Sequence, residues 1–176
     1  RNAEQIHGQE VEETLDKCER FLSAAVPVAP GYATVILSPE AAGIFAHESF
    51  GHKSEADFML GDPAMLEAWK IGTEVGSPIL SIIDSGRPFG SGYMPYDDEG
   101  QPASDTHLIE GGILKGRLHN ALTSSALQEP HTANARAISF RFEPIVRMTT
   151  TTIAPGTDTR DSLFAGVRDG YFIETV

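Results

Sequence analysis

The sequence predicts an α+β fold: an N-terminal amphipathic helix, a strand and a second helix carrying a metal-ligand motif, followed by a mainly antiparallel β region with hairpins and short helices. Three observations lead there. Val11, Leu15, Cys18, Leu22 and Ala25 recur at steps of four, three, four and three, the spacing of one apolar helix face. From about residue 79 the pattern changes to short apolar and β-branched runs separated by turn residues. Between two such runs stands Gly111-Gly112, a two-residue hairpin signal.

Residues 4–25 read as the opening helix, with Cys18 as a small buried residue inside its apolar stripe and His7 without a functional role. Residues 26–31, with two prolines, form the exit loop, and the apolar run 32–37 is the first strand. Ser38-Pro39-Glu40 is a helix start, with Ser38 as N-cap and Pro39 at the first helical position. Residues 63–71 make a short helix in which Trp69 packs. A strand over 79–84, an irregular glycine-rich stretch over 88–96 and a turn at Asp97-Asp98-Glu99-Gly100 follow. No twelve-residue calcium-ligand pattern accompanies those acids. The strands 106–110 and 113–118 flank the hairpin turn, and residues 120–127 are helical. Residues 129–141 are polar and read as a mobile loop. A strand over 147–153, a helix over 159–167 and a strand at Gly170-Tyr171-Phe172 complete the chain.

With 176 residues and 40% hydrophobic content, the chain can bury the core of a single domain, with a helical part at 1–62 and a mainly β part at 63–176. No apolar run approaches the roughly 18 residues of a spanning helix, so no membrane partner is expected. A net charge of −12 and a pI near 4.8 offer nucleic-acid phosphates little, and direct nucleic-acid binding is disfavoured. The single cysteine excludes an internal disulfide framework and fits a reducing compartment.

The chemistry-bearing motif is His47-Glu48-Ser49-Phe50-Gly51-His52, in the pattern H-E-x-x-x-H. Neutral imidazoles suit zinc, which lowers the pKa of a coordinated water to about 7, and an adjacent carboxylate suits proton transfer. His47 and His52 are therefore the expected metal ligands and Glu48 the catalytic base. Their spacing is unusual. The familiar H-E-x-x-H places both rings within about 40° of each other on a helix, whereas five residues separate them by about 140°. Either a π-bulge absorbs the extra residue, or the helix ends near Gly51 and His52 swings in from the next turn. Glu55 and Asp57, just behind His52, are candidates to accept a hydrogen bond from a ligand's other ring nitrogen.

Three stretches, HESFGHKSEADF, YDDEGQPASDTHLIEGGILKGRLHN and FEPIVRMTTTTIAPG, together resemble the TldD/PmbA family of peptidases, often labelled modulators of DNA gyrase. The resemblance runs from about residue 34 to 176 and is of the TldD type, which carries H-E-x-x-x-H and binds zinc, where the PmbA (TldE) type lacks the motif. It implies a zinc-dependent peptidase acting on small or unstructured peptides, a cytoplasmic setting, and a homologous subunit as partner. It also implies a third ligand, a cysteine well downstream of the motif. The chain begins at Arg1 and stops at Val176, so the expectation is an internal fragment whose third ligand lies outside it and which is itself inactive. The alternative is a non-catalytic interaction or regulatory subunit of such an assembly. His107, His119 and His131 are isolated histidines with nothing in their spacing that aims them at His47, and Tyr93 and Arg147 are secondary candidates for substrate contacts.

Overall fold

The computed structural model describes residues 8–175. Residues 4–7 of the expected opening helix, His7 among them, lie outside that range. The chain divides into two compact units, Arg1–Ala33 and Thr34–Val176. In the first, α1 (Gly8–Ala24) has the expected periodicity. Its stripe, however, is exposed: Cys18 faces solvent, and Leu15 and Leu22 are 62% and 83% exposed. An apolar face is buried only against a second layer, and the described residues of this unit contain one helix and an irregular tail.

The second unit is an α+β structure. β1 (Thr34–Leu37) leads into α2 (Pro39–Ala46), whose start follows the local chemistry: Ser38 Oγ accepts the Ala41 N–H at 3.1 Å and Pro39 occupies the first turn. The helix continues as a π turn at His47–Gly51 and two 3₁₀ turns at His52–Ser54 and Ala56–Met59. α3 (Pro63–Ala68) is capped by Asp62, which accepts from Ala64 and Met65. None of the helices among the described residues is long and apolar enough to cross a membrane.

Four strands then form an antiparallel sheet in the order β4-β3-β2-β7, from β2 (Ile82–Ser85), β3 (Asp105–Glu110), β4 (Ile113–Leu114) and β7 (Thr150–Ile153). The β3–β4 hairpin turns on Gly111 and Gly112, with φ of 55° and 79°, the pair of positive values a type I′ turn requires. β2 begins later than the apolar run suggests. Residues 77–80 close a turn, with Leu80 N–H donating to the Ser77 carbonyl, and Ile79 is 93% exposed. α4 (Ala121–Leu127) is held by a capping box between Asn120 and Thr123. A separate antiparallel pair joins β5 (Ala135–Arg136) to β6 (Ile145–Val146), and α5 (Arg160–Gly166) precedes β8 (Gly170–Ile173), which pairs in parallel with β1.

Ile82, Leu108, Ile109, Leu114, Leu118, Val146 and Met148 form the core with Trp69, which packs as expected. Beside them lies a buried carboxylate. Asp84 accepts from Asn134 Nδ2 at 3.0 Å, Thr149 Oγ1 at 2.6 Å and Thr151 Oγ1 at 2.7 Å, tying β2 to β7 and to the segment before β5. This revises two expectations. Residues 132–135 are buried and pinned, because a fully desolvated Asp84 requires donors and Asn134 supplies one. The strand expected over 147–153 begins only at Thr150, as β7, because Arg147 N–H donates to the Asn134 carbonyl and Thr149 turns its N–H to Asp84.

Candidate metal centre

The extra residue of the H-E-x-x-x-H motif is absorbed by the π turn, in which the His52 N–H donates to the His47 carbonyl five residues back. This rotates His52 into alignment with His47. Their ring centroids are 4.7 Å apart, with planes at 84°. Gly51 has φ −61° and ψ −57°, ordinary helical values, so it contributes space and not conformational freedom. A Cβ there would overlap the Met148 sulfur, and the absence of a side chain lets the π turn lie against the strand region. Ser54 Oγ, which donates to the Phe50 carbonyl at 2.8 Å and accepts from Trp69 Nε1 at 3.3 Å, backs the turn from below.

One nitrogen of each imidazole and one carboxylate oxygen of Glu48 lie within 4.8 Å of one another, with His47 and Glu48 exposed and His52 half-buried. His52 Nδ1 lies 3.0 Å from Glu55 Oε2. Glu55 is fully buried and is held in turn by Arg147 Nη1 at 3.3 Å on the same oxygen and by the Met148 N–H at 3.3 Å on the other. A carboxylate at Nδ1 favours the tautomer that carries its proton there and leaves the Nε2 lone pair available. Asp57 differs: its Oδ2 accepts from the Val146 N–H at 3.2 Å and its Oδ1 is buried without a hydrogen-bond partner among the described residues. Asp57 therefore joins the 3₁₀ turn to β6, because Glu55 leaves the helix with an extended backbone (φ −71°, ψ 110°) that sends the two acids in different directions.

The donor set fits a metal ion. Two imidazole nitrogens and a carboxylate converge, one ring is oriented by a buried carboxylate, and nitrogen with oxygen suits a borderline ion such as zinc. The cleft around them holds about 480 Å³ and is lined by His47, His52, Glu55, Gly92, Arg136 and Arg147, with Ser91, Met148 and Thr149. Of these, Ser91, Gly92 and Thr149 carried no functional signal in the sequence beyond the glycine-rich run around residue 90, and Arg136 only its place on the polar loop expected over 129–141, of a length that often contributes to substrate access.

The remaining histidines lie in other settings. His107 pairs with Glu110 at 2.6 Å on the exposed face of β3. His131 Nε2 is 3.2 Å from Glu99, and Asp97, Glu99 and His131 form a second convergent group. Asp97, however, accepts from the Glu99, Gln101 and Ala135 N–H groups and shapes the turn. His119 is buried between Thr123 Oγ1 at 3.1 Å and Glu129 Oε2 at 3.0 Å. Its burial pulls its pKa below the usual 6.5, against the opposing effect of the hydrogen bond that Glu129 accepts from the ring. Tyr93 stacks on Phe89 at 4.6 Å. Cys18 sits in the separate N-terminal unit.

Fold and paired histidines together outline an α+β domain with a candidate metal site. Residues 30–176 match the PmbA/TldA metallopeptidase C-terminal domain, and the chain belongs to that family. A metalloprotease from Synechocystis is 43% identical over 141 residues, covering 80% of this chain and 30% of the relative. A zinc metalloprotease TldD homolog from Saccharolobus solfataricus is 39% identical over 154 residues, 86% of this chain and 34% of the relative. The chain thus spans about a third of the length of these relatives. A crystal structure from Thermotoga maritima, described as a candidate modulator of a DNA gyrase, superposes with a TM-score of 0.79 at 25% identity, covering 100% of this chain and 40% of that one. The structure of TldE from Thermococcus kodakarensis has the same fold, with a TM-score of 0.73 at 19% identity over 95% of this chain and 38% of its own.

Proposed function

We propose that this chain is the metal-binding segment of a zinc-dependent peptidase that cleaves small or unstructured peptides. The observation that carries the reading is the π turn, which brings His47, Glu48 and His52 together where a regular helix would hold the rings about 140° apart. His47 and His52 would hold the ion, and a third ligand, the cysteine implied by family resemblance, would come from outside this chain. When bound, the metal supplies Lewis acidity that makes water nucleophilic near neutral pH. Glu48 accepts a proton from the attacking water and delivers it to the leaving amine nitrogen. Glu55 keeps the His52 proton on Nδ1, and Arg147 keeps Glu55 in place. Asp57, facing Val146, takes the structural role its hydrogen bond describes.

A homologous subunit as partner and a cytoplasmic setting belong to the same proposal, supported by family resemblance and, for the partner, by a shared fold with a TldE. The test uses the full-length protein. His47→Ala and His52→Ala are expected to abolish stoichiometric zinc, and Glu48→Gln to retain zinc while losing peptide cleavage. Normal cleavage by all three would remove the reading. Metal-free wild-type protein that still binds a homologous subunit would point to the non-catalytic alternative.

A further inference from the structure

Beside the cleft lined by His47 and His52 lies a second cavity of about 480 Å³, walled by Arg136, Ile138, Phe142, Ile145 and Arg147 together with Ala137 and Glu143. Only the two arginines line both cavities. Their positions are not equivalent. Arg147 is committed to buried Glu55, whereas the exposed Arg136 side chain has no hydrogen-bond or ion-pair partner among the described residues. Arg136 is nevertheless firmly placed, on β5 directly opposite Ile145 of β6 and next to the fully buried Ala135. Cation and apolar wall are thus neighbours across one strand pair. Ile138, Phe142 and Ile145 are 87%, 61% and 46% exposed, an apolar surface left open in a chain of net charge −12.

We propose that Arg136 anchors the C-terminal carboxylate of a peptide whose large apolar terminal side chain enters the Ile138–Phe142–Ile145 pocket. The proposal rests on the peptidase reading and specifies its substrate. A peptide's last residue is the one that carries a carboxylate and an apolar side chain on a single carbon, matching a free guanidinium beside an apolar wall. Guanidinium recognises carboxylate through two parallel hydrogen bonds. Glu143, the acid on this wall, disfavours an Asp or Glu side chain within the pocket and so favours an apolar terminal residue. Because Arg136 shares its cleft with His47 and His52, a peptide held this way is cut close to its C-terminus.

The experiment measures binding, so that it survives failure of the catalytic reading. Metal-loaded full-length protein carrying Glu48→Gln is titrated with a fluorescent acetylated tripeptide ending in phenylalanine and with its C-terminal amide. The acid should bind about tenfold more tightly than the amide, and Arg136→Gln in the same background should erase the difference while Arg136→Lys restores part of it. Equal binding of acid and amide overturns the proposal. A preference that persists undiminished in Arg136→Gln also overturns it, because the metal and not the arginine would then hold the carboxylate. Self-association of the peptide-free protein that is lost in Phe142→Asp, measured by sedimentation, overturns it as well. The acid preference in a protein that never cleaves peptides would support this subsite while removing the peptidase reading.

Discussion

Two histidine–glutamate pairs in this molecule have the same contact and opposite character. His52 lies 3.0 Å from Glu55, and His119 lies 3.0 Å from Glu129. In the first pair the carboxylate is fully buried and the imidazole half-exposed, with its second nitrogen toward a cleft that it shares with His47. In the second pair the imidazole is the buried partner, and its other nitrogen is already engaged by Thr123. The carboxylate partner therefore does not distinguish the candidate ligand from the structural histidine. An uncommitted second nitrogen that faces open space does.

The widest separation between the two pairs is expected from deleting each ring in turn. His52→Ala should weaken zinc binding about a thousandfold, since roughly 10–16 kcal/mol of zinc affinity is shared among a few ligands, while leaving the urea unfolding midpoint of the metal-free protein nearly unchanged. His119→Ala should do the reverse, lowering stability by about 2–4 kcal/mol through a cavity and the loss of the second partner of Glu129, which keeps Arg117, with zinc content intact by atomic absorption. If His119→Ala also released the metal, the distinction drawn from the free nitrogen would be wrong.

A subtler alteration sharpens the first pair. Glu55→Gln keeps the shape but loses the charge at His52 Nδ1 and at Arg147, and a 10- to 100-fold loss of metal affinity is expected, measured by competition with a chelator. Unchanged affinity would reduce Glu55 to a packing residue.

The smallest effect concerns the second pair and pH. His119 has a folded pKa below its unfolded value of 6.5, so below pH 6.5 the unfolded state takes up the proton first. Stability contributed by this group is thus whole above pH 6.5 and is lost as the pH falls through the lowered folded value. His119→Gln should flatten the slope of unfolding free energy against pH in that window. A slope identical to wild type would assign the acid sensitivity to other groups.

Features of the fold that depend on near neighbours were legible in the sequence. The Ser38 cap, the Gly111-Gly112 turn and the presence of helices at 63–68 and 121–127 each follow from chemistry within a few residues. Glu55 could be named as a candidate because it is three residues from His52, but nothing local separated it from Asp57. That choice was made by the extended backbone at Glu55 and by strand β6 waiting for Asp57, 89 residues away along the chain. The α1 stripe shows the opposite limit: periodicity specified a face, and burial required a layer that the described part of its unit does not hold.

By itself, then, the sequence determined the candidate ligand types, their order and the need for a distorted helix if both rings are to meet, because residue identity and helical pitch are local properties. Only tertiary structure decided that the distortion is a π turn resting on Met148, that Arg147 clamps the acid behind His52, and that Arg136 opens onto the same cleft. Those residues meet across 80 to 100 positions of chain, and such meetings are set by which surfaces the folded core brings together and not by any spacing along the sequence.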